Sequence, residues 1–150
     1  ALVPVSSIGA TGGLSFRGDP LIKKYWDEMY GPQVVKSKEA AKAVSPLFHA
    51  DKIVKPLMVA TCLKDPRVKP EQGAAIVEAL KKRGVPCYFV TYADEGHGLR
   101  KERNLLDFWR RAECFLCSCL SLPQPPAPEA KWTQGASVSV EWNSVGGMSC

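Results

Sequence analysis

Two short apolar segments separated by an amphipathic one constrain the fold of this chain more than any other feature of its sequence. Leu57 to Thr61 and Cys87 to Tyr92 are rich in aliphatic, aromatic and β-branched residues, as buried strands are. Between them, Glu71 to Arg83 repeats apolar residues at helical spacing and is followed by Gly84, a residue type that commonly ends helices. The spacing predicts one strand–helix–strand unit of about 30 residues with parallel strands.

An ionisable residue follows each predicted strand. Asp65 comes shortly after the first strand and His97 shortly after the second. Because the carboxyl ends of parallel strands lie at one edge of a sheet, where ligands bind in open α/β folds, we expect the two side chains to meet there. An aspartate that accepts the proton of one imidazole nitrogen orients the ring and leaves the other nitrogen to act as a general base. Gly96 and Gly98 flank the histidine and allow the tight turn that aims its ring.

The residues around this pair resemble a known family. Lys-Asp-Pro-Arg-Val-Lys-Pro-Glu-Gln-Gly at 64–73, followed by Asp-Glu-Gly-His-Gly at 94–98, is similar to the C-terminal part of a prolyl oligopeptidase family serine peptidase, such as the dipeptidyl and acylaminoacyl peptidases. The resemblance implies an α/β fold, namely the C-terminal part of an α/β-hydrolase fold with parallel strands and crossover helices. It also implies that Asp65 is the acid and His97 the base of a Ser-Asp-His triad.

The nucleophilic serine of such a triad is not recognisable in this sequence. None of the 150 residues belongs to a Gly-x-Ser-x-Gly motif, and Gly13-Leu14-Ser15-Phe16-Arg17 has the wrong last residue. We therefore expect the serine to lie upstream of Ala1, in a missing N-terminal part of the same protein, and the chain by itself to be inactive.

The function implied by the resemblance is that of a serine-type peptidase that cleaves a peptide substrate by acyl transfer. Two alternatives remain open. The chain could be a non-catalytic fragment or pseudoenzyme domain of the same fold, with Asp65 and His97 as ordinary turn residues, because Asp-Pro-Arg is a good turn sequence in its own right. It could also belong to another α/β-hydrolase, such as an esterase, since fold alone does not fix the substrate.

An aromatic helix face provides candidate substrate-binding residues. Asp19 as N-cap and Pro20 at the first helical position predict a helix that ends before Gly31-Pro32. Aromatic faces usually pack in a core, but the resemblance implies that this helix lies near the mouth of the active site. Tyr25, Trp26 and Tyr30 are therefore the candidates for contact with substrate. The second histidine, His49, has no partner at catalytic spacing, so we expect a structural role for it.

Composition argues against several other classes of protein. The net charge of +5 comes from scattered basic residues without interleaved aromatic ones, which argues against a nucleic-acid partner. Cys114-x-x-Cys117 has the spacing of metal ligands but no second pair or nearby histidine, so we expect no metal and no cofactor. No apolar run reaches the roughly 18 residues of a membrane span, so we expect no membrane partner. We also expect the cysteines to be reduced thiols in a cytoplasmic protein.

The sequence changes character near residue 120. Arg100 to Leu120 predicts a long helix whose apolar face packs on the sheet beside the histidine loop. We therefore divide the chain into the C-terminal portion of a peptidase catalytic domain, 1–120, and a Pro/Ser/Gly-rich tail, 121–150, which we expect to be disordered or loosely attached. Ser137 to Trp142 alternates like a strand but has no predicted partner. Strands missing from the sheet would leave an open edge, so we also expect association into a homo-oligomer.

Overall fold

The computed structural model of the chain describes residues 24, 27, 28, 37–126 and 134–148. In chain order, the elements are helix α1 (Lys38–Ala43), a 3-10 segment (Pro46–Lys52), strand β1 (Leu57–Cys62), helix α2 (Pro70–Lys82), strand β2 (Cys87–Tyr92), helix α3 (Glu102–Cys119) and strand β3 (Val138–Asn143). Helix α2 begins at a proline, whose fixed φ suits the first helical position, and is followed by Gly84 at φ +68°. The predicted strand–helix–strand unit is therefore confirmed, with helix boundaries that differ by one residue at each end.

The three strands form one mixed sheet in the order β1-β2-β3. Strands β1 and β2 are parallel, with Leu57 opposite Cys87 and Cys62 opposite Tyr92. Strand β3 lies antiparallel to β2 on its other side. The β2–β3 register shifts after Phe89, so that Glu141 is an extra residue on β3 and forms a β-bulge.

The position of β3 corrects our expectation for the tail. We expected the alternating segment 137–142 to lack a partner and residues 121–150 to be disordered or loosely attached. Within the described part of the tail, β3 instead pairs with β2 from Tyr88 to Tyr92. The physical reason is that the side of β2 facing away from β1 offers unpaired backbone N–H and C=O groups, which an extended segment satisfies by adding to the sheet.

Helices cover both faces of the sheet, so every residue of β2 is buried. One face packs against α2 in a cluster formed by Leu57, Val59, Ile76, Val77, Leu80, Cys87 and Phe89. The other face packs against α3 in a cluster formed by Tyr88, Val90, Tyr92 and Phe115. The alternation of the strand thus divides its side chains between two apolar clusters. The predicted packing of the last helix on the sheet is confirmed.

A buried polar network joins α3 to the strand beneath it. The hydroxyl of Tyr92 donates to Oδ2 of Asp107 at 2.9 Å, and Arg111 Nε donates to the same oxygen at 2.7 Å. Arg111 Nη1 donates to the hydroxyl of Tyr88 at 2.6 Å. Burial raises the pKa of Tyr92 well above its ordinary value, and the charge of Asp107 raises it further. The network therefore keeps Tyr92 neutral and ties α3 to β2.

The cysteines are not all reduced thiols, contrary to our expectation. Cys62, Cys87, Cys117 and Cys119 are free, whereas Cys114 is disulfide-bonded. Cys114 is fully buried on the face of α3 that packs inward. Cys150, the remaining cysteine of the sequence, lies outside the described residues. None of the described helices has the length and apolarity needed to cross a membrane.

Candidate active site

The loop after β1 is fixed by the side chain of Asp65. Its Oδ1 atom accepts hydrogen bonds from the backbone N–H of Arg67 at 2.8 Å and of Val68 at 2.9 Å. An aspartate that bonds the backbone two and three residues ahead closes a tight local turn. The Asp-Pro-Arg sequence therefore forms the turn that it favours locally, and this turn orients the carboxylate.

The loops that follow β1 and β2 are joined by backbone hydrogen bonds. The N–H of Leu63 donates to the carbonyl of Tyr92 at 2.9 Å, and the N–H of Lys64 donates to the carbonyl of Glu95 at 3.0 Å. These bonds continue the parallel pairing past the ends of the strands. They hold the two loops side by side at the carboxyl edge of the sheet.

The expected contact between Asp65 and His97 is present at this edge. His97 Nδ1 lies 3.0 Å from Oδ2 and 3.2 Å from Oδ1 of Asp65. The Asp65 side chain is 10% exposed and that of His97 is 38% exposed, so the carboxylate is largely covered while the ring borders solvent. An ionised carboxylate only accepts hydrogen bonds, so Nδ1 carries the donated proton and Nε2 of the neutral ring is an acceptor.

The surroundings of Asp65 favour its ionised form. Partial burial by itself raises the pKa of this carboxyl, but the hydrogen bonds from Val68, His97 and Arg67 outweigh burial and hold the pKa below its ordinary value. The carboxylate is consequently available as a permanent acceptor for the imidazole near neutral pH.

Of the two glycines that flank His97, only one requires the freedom of glycine. Gly98 has φ +100°, a conformation that other residues rarely adopt. Gly96 does not have a positive φ, and a Cβ added there would lie 3.8 Å from the carbonyl oxygen of Lys64, which is an ordinary contact distance. The tight turn that we predicted therefore depends on Gly98.

Glu95 is a part of the site that the sequence analysis did not identify. Its buried carboxylate accepts from the backbone N–H of Arg100 at 3.1 Å and of Lys101 at 2.9 Å, and from Asn104 Nδ2 at 2.8 Å. Burial alone raises the pKa of this carboxyl, but these three donors reverse the effect and lower it. Lys101 is the N-cap of α3 and provides no side-chain cap, so Glu95 ties the histidine loop to the two residues that directly precede the helix.

Asp94, next to Glu95, also ties the histidine loop to the start of α3. It accepts hydrogen bonds from Lys101 Nζ, from Arg103 Nη2 at 2.8 Å and from Asn104 Nδ2 at 2.8 Å. Lys101 makes the largest contribution to lowering the pKa of Asp94 to about 2. The signal in the sequence was the pair of acidic residues just before Gly-His-Gly, followed a few residues later by Lys101, Arg103 and Asn104 as possible donors.

Cys62 lies between the two loops but lacks the properties of a nucleophile. Burial raises the pKa of its thiol, and the negative charges of Glu95 and Asp65 raise it further, against a smaller opposite effect of the Gly98 N–H. Reactive cysteines have a lowered pKa because the thiolate is the attacking species. Cys62 therefore does not replace the serine that the triad requires.

The sequence singles out four further residues. Tyr25, Trp26 and Tyr30 lie outside the described residues. His49 has the expected structural role: its Nε2 donates to the carbonyl of Ala43 at 2.7 Å and links the 3-10 segment to α1. Across the described ranges, no three His, Cys, Asp or Glu side chains cluster as metal ligands would.

The arrangement at the carboxyl edge suits proton transfer. A carboxylate fixed by its own turn holds the imidazole through Nδ1, and Nε2 is left to take a proton from a reacting group.

The sequence model of the prolyl oligopeptidase family matches residues 7–122 of this chain. The chain belongs to the prolyl oligopeptidase family.

Known members resemble this chain over most of its length. It is 35% identical over 127 residues to dipeptidyl peptidase family member 6 of Caenorhabditis elegans, covering 83% of this chain and 16% of that protein. It is 36% identical over 112 residues to dipeptidyl aminopeptidase BIII of Pseudoxanthomonas mexicana, covering 75% of this chain and 16% of that protein. The chain thus spans about one sixth of the length of the curated relatives it matches.

Solved structures agree with the fold. A puromycin-hydrolysing peptidase of Mycobacterium tuberculosis matches 61% of this chain and 14% of its own, with 30% identity and a TM-score of 0.56. A puromycin hydrolase matches 79% of this chain and 17% of its own, with 24% identity and a TM-score of 0.66. The fold is therefore part of an α/β-hydrolase, as the sequence predicted.

Proposed function

We propose that this chain contributes the acid and the base of a serine-type peptidase active site. The observation that carries the proposal is the 3.0 Å contact between His97 Nδ1 and Asp65 Oδ2, made by loops that follow neighbouring parallel strands in a member of a peptidase family. Asp65 and His97 are the catalytic residues, and an upstream serine of the same protein is the nucleophile.

In the proposed reaction, His97 moves a proton between the serine and the leaving amine. Nε2 removes the proton of the serine hydroxyl while the serine oxygen attacks the peptide carbonyl, and the resulting imidazolium returns the proton to the departing amine. Asp65 keeps Nδ1 protonated and stabilises the charged ring. A water molecule then hydrolyses the acyl-serine by the same route, with His97 again as base.

A peptide is the proposed substrate class because the relatives include a dipeptidyl peptidase and a dipeptidyl aminopeptidase. Both alternatives to this function give different outcomes in the same assays. An esterase would cleave activated esters but not peptides. A non-catalytic domain would leave both kinds of substrate intact even when the upstream part of the protein is present.

The test compares two histidine variants in a polypeptide that carries this chain behind an upstream Gly-x-Ser-x-Gly segment of the same protein. We expect His97→Ala to lower kcat for a chromogenic peptide by about 10⁶-fold with little change in KM, because the base acts in the transition state. His49→Ala is the matched control, since His49 bonds only a backbone carbonyl away from this edge. Equal turnover by the two variants would remove His97 from the mechanism.

A second measurement uses the chain as it is. We expect the 150 residues alone to show no turnover of a chromogenic ester or peptide, because neither Cys62 nor a Gly-x-Ser-x-Gly serine supplies an activated nucleophile. Rapid turnover that is abolished by His97→Ala would place a nucleophile within the chain and refute the assignment of an upstream serine.

A further inference from the structure

We propose that strand β3 positions the histidine loop through Asn104: the backbone N–H of Ser137 orients the Asn104 amide, which in turn holds the Asp94 and Glu95 carboxylates that precede His97. Asn104 is thus a positioning residue, and the C-terminal segment is part of the active-site support. The inference rests on the proposed roles of Asp65 and His97 and adds the source of their alignment.

The first step is the orientation of a buried amide. Asn104 is fully buried, and its Oδ1 accepts from the N–H of Ser137 at 3.0 Å. With the oxygen fixed on this donor, the amide nitrogen can point only to the opposite side. There Nδ2 donates to Asp94 Oδ1 and to Glu95 Oε1, both at 2.8 Å. Both hydrogens of the amide nitrogen are used, so a rotated amide would face two carboxylates with its oxygen.

The second step connects this amide to His97. The Glu95 carboxylate bonds the N–H groups of Arg100 and Lys101, so it closes the loop on both sides of the histidine. The carbonyl of Glu95 accepts from the N–H of Lys64, next to Asp65. Glu95 therefore fixes the loop of the base and, through its backbone, the loop of the acid. Displacement of this residue would change the distance between the two catalytic side chains.

The third step is that Ser137, just before β3, holds both Asn104 and the start of the histidine loop. Ser137 lies outside residues 7–122, over which the family model matches. Its carbonyl accepts from the N–H of Ala93 at 2.9 Å, directly after β2. Ser137 is thus bonded to the start of the histidine loop through its C=O and to Asn104 through its N–H. Pairing of β3 with β2 holds it in this position.

The test removes one N–H group from the full chain. Ser137→Pro deletes the donor to Asn104, whereas Ser137→Ala retains it and is the matched control. Because Ser137 precedes the first residue of β3 and its N–H does not bond β2, the proline removes no hydrogen bond between the strands. We expect backbone amide exchange at Arg100 and Lys101 to be roughly fivefold faster in the proline variant than in the control, as loss of one neutral hydrogen bond implies.

The ring of His97 gives a second readout, which a merely structural strand would not change. We expect its ¹⁵N resonances to differ between the proline and alanine variants, because the ring moves relative to Asp65. Equal exchange rates and equal His97 resonances in the two folded variants would overturn the proposal.

If the proline variant does not fold, Asn104→Asp tests the second half of the link, from the Asn104 amide to the Asp94 and Glu95 carboxylates. The new side chain still offers an oxygen to Ser137 but loses the N–H donors to Asp94 and Glu95. We expect faster exchange at Arg100 and Lys101 again, and unchanged rates would overturn the proposal. Failure of the proposed function is a different result, namely hydrolysis that is indifferent to His97→Ala, because the exchange comparison does not depend on catalysis.

Discussion

Replacement of Asp65 by asparagine should move the proton of the neutral His97 ring from Nδ1 to Nε2. In the native chain the carboxylate accepts from Nδ1–H, and a hydrogen bond to a charged group is worth roughly 1.5–3 kcal/mol. The lower value applies here because the His97 side chain is 38% exposed and the pair is screened by solvent. About 1.5 kcal/mol favours the Nδ1–H tautomer by roughly tenfold.

The structure also determines which way the new amide points. In Asp65→Asn the oxygen remains on the N–H groups of Arg67 and Val68, because turning it away would lose two hydrogen bonds of about 1 kcal/mol each. The amide nitrogen then faces His97 and donates to Nδ1. A ring that accepts at Nδ1 carries its proton on Nε2, so the variant should consist mainly of the Nε2–H tautomer.

The assay is a long-range ¹H–¹⁵N correlation spectrum of the ¹⁵N-labelled chain. It is recorded at about pH 9, more than two units above the ordinary histidine pKa of about 6.5. The chain has 2 histidines, and His49 is an internal reference because its Nε2 donates to a carbonyl that the substitution leaves unchanged. Asp51→Asn, at an exposed position, controls for the loss of one carboxylate. The proposed hydrogen bond between His97 Nδ1–H and Asp65 would be refuted if the native ring carries its proton on Nε2. It would also be refuted if Asp65→Asn leaves the tautomer unchanged.

Three further predictions concern the stability of the site and its support. Arg111→Met leaves the buried Asp107 carboxylate without its cation, and should cost about 3–5 kcal/mol, or ~6–20 °C in Tm by circular dichroism. Gly98→Ala should cost about 1–2 kcal/mol in urea unfolding because φ is +100°, whereas Gly96→Ala should change stability by less than about 0.5 kcal/mol. Because folding lowers the pKa of Asp94 from 3.8 to about 2, its stabilisation is present above pH 4 and lost as the pH falls toward 2. Asp94→Asn should therefore flatten the fall of Tm over that interval.

Each of these predictions has an outcome that contradicts it. Lys82→Met removes an exposed cation at the end of α2, and a Tm loss as large as that of Arg111→Met would show that burial of the charge is not the cause. Equal losses for the two glycine variants would remove the backbone argument for Gly98. A fall of Tm between pH 4 and 2 that is as steep in Asp94→Asn as in the native chain would mean that other carboxyls dominate acid unfolding.

The parts of the fold that the sequence predicts are those with local causes. The two strands and helix α2 follow from periodicity within about 35 residues, and parallel pairing then requires the loops carrying Asp65 and His97 to lie at one edge. The division of the chain at residue 120 stays a prediction. The catalytic roles of the two residues likewise remain proposals that follow from family membership and from geometry.

The parts that the sequence did not predict depend on distant or non-specific partners. Strand β3 pairs with a segment about 50 residues earlier, and nothing in its own alternation indicates which strand edge it joins. Glu95 was missed because two of its partners are backbone N–H groups, which every non-proline residue possesses. Their availability depends on where helix α3 begins, and a single sequence does not define that boundary to within a residue.

The antiparallel pairing of β3 also has a consequence for synthesis on the ribosome. At 5–20 residues per second, ~3–10 s pass between emergence of β2 from the ribosome and emergence of the segment that covers its second edge. During this interval the nascent chain presents an apolar strand, Cys87 to Tyr92, with one row of backbone groups unpaired. A chaperone that shields extended apolar segments should therefore bind the nascent chain in this interval and be released when Val138 to Asn143 has emerged.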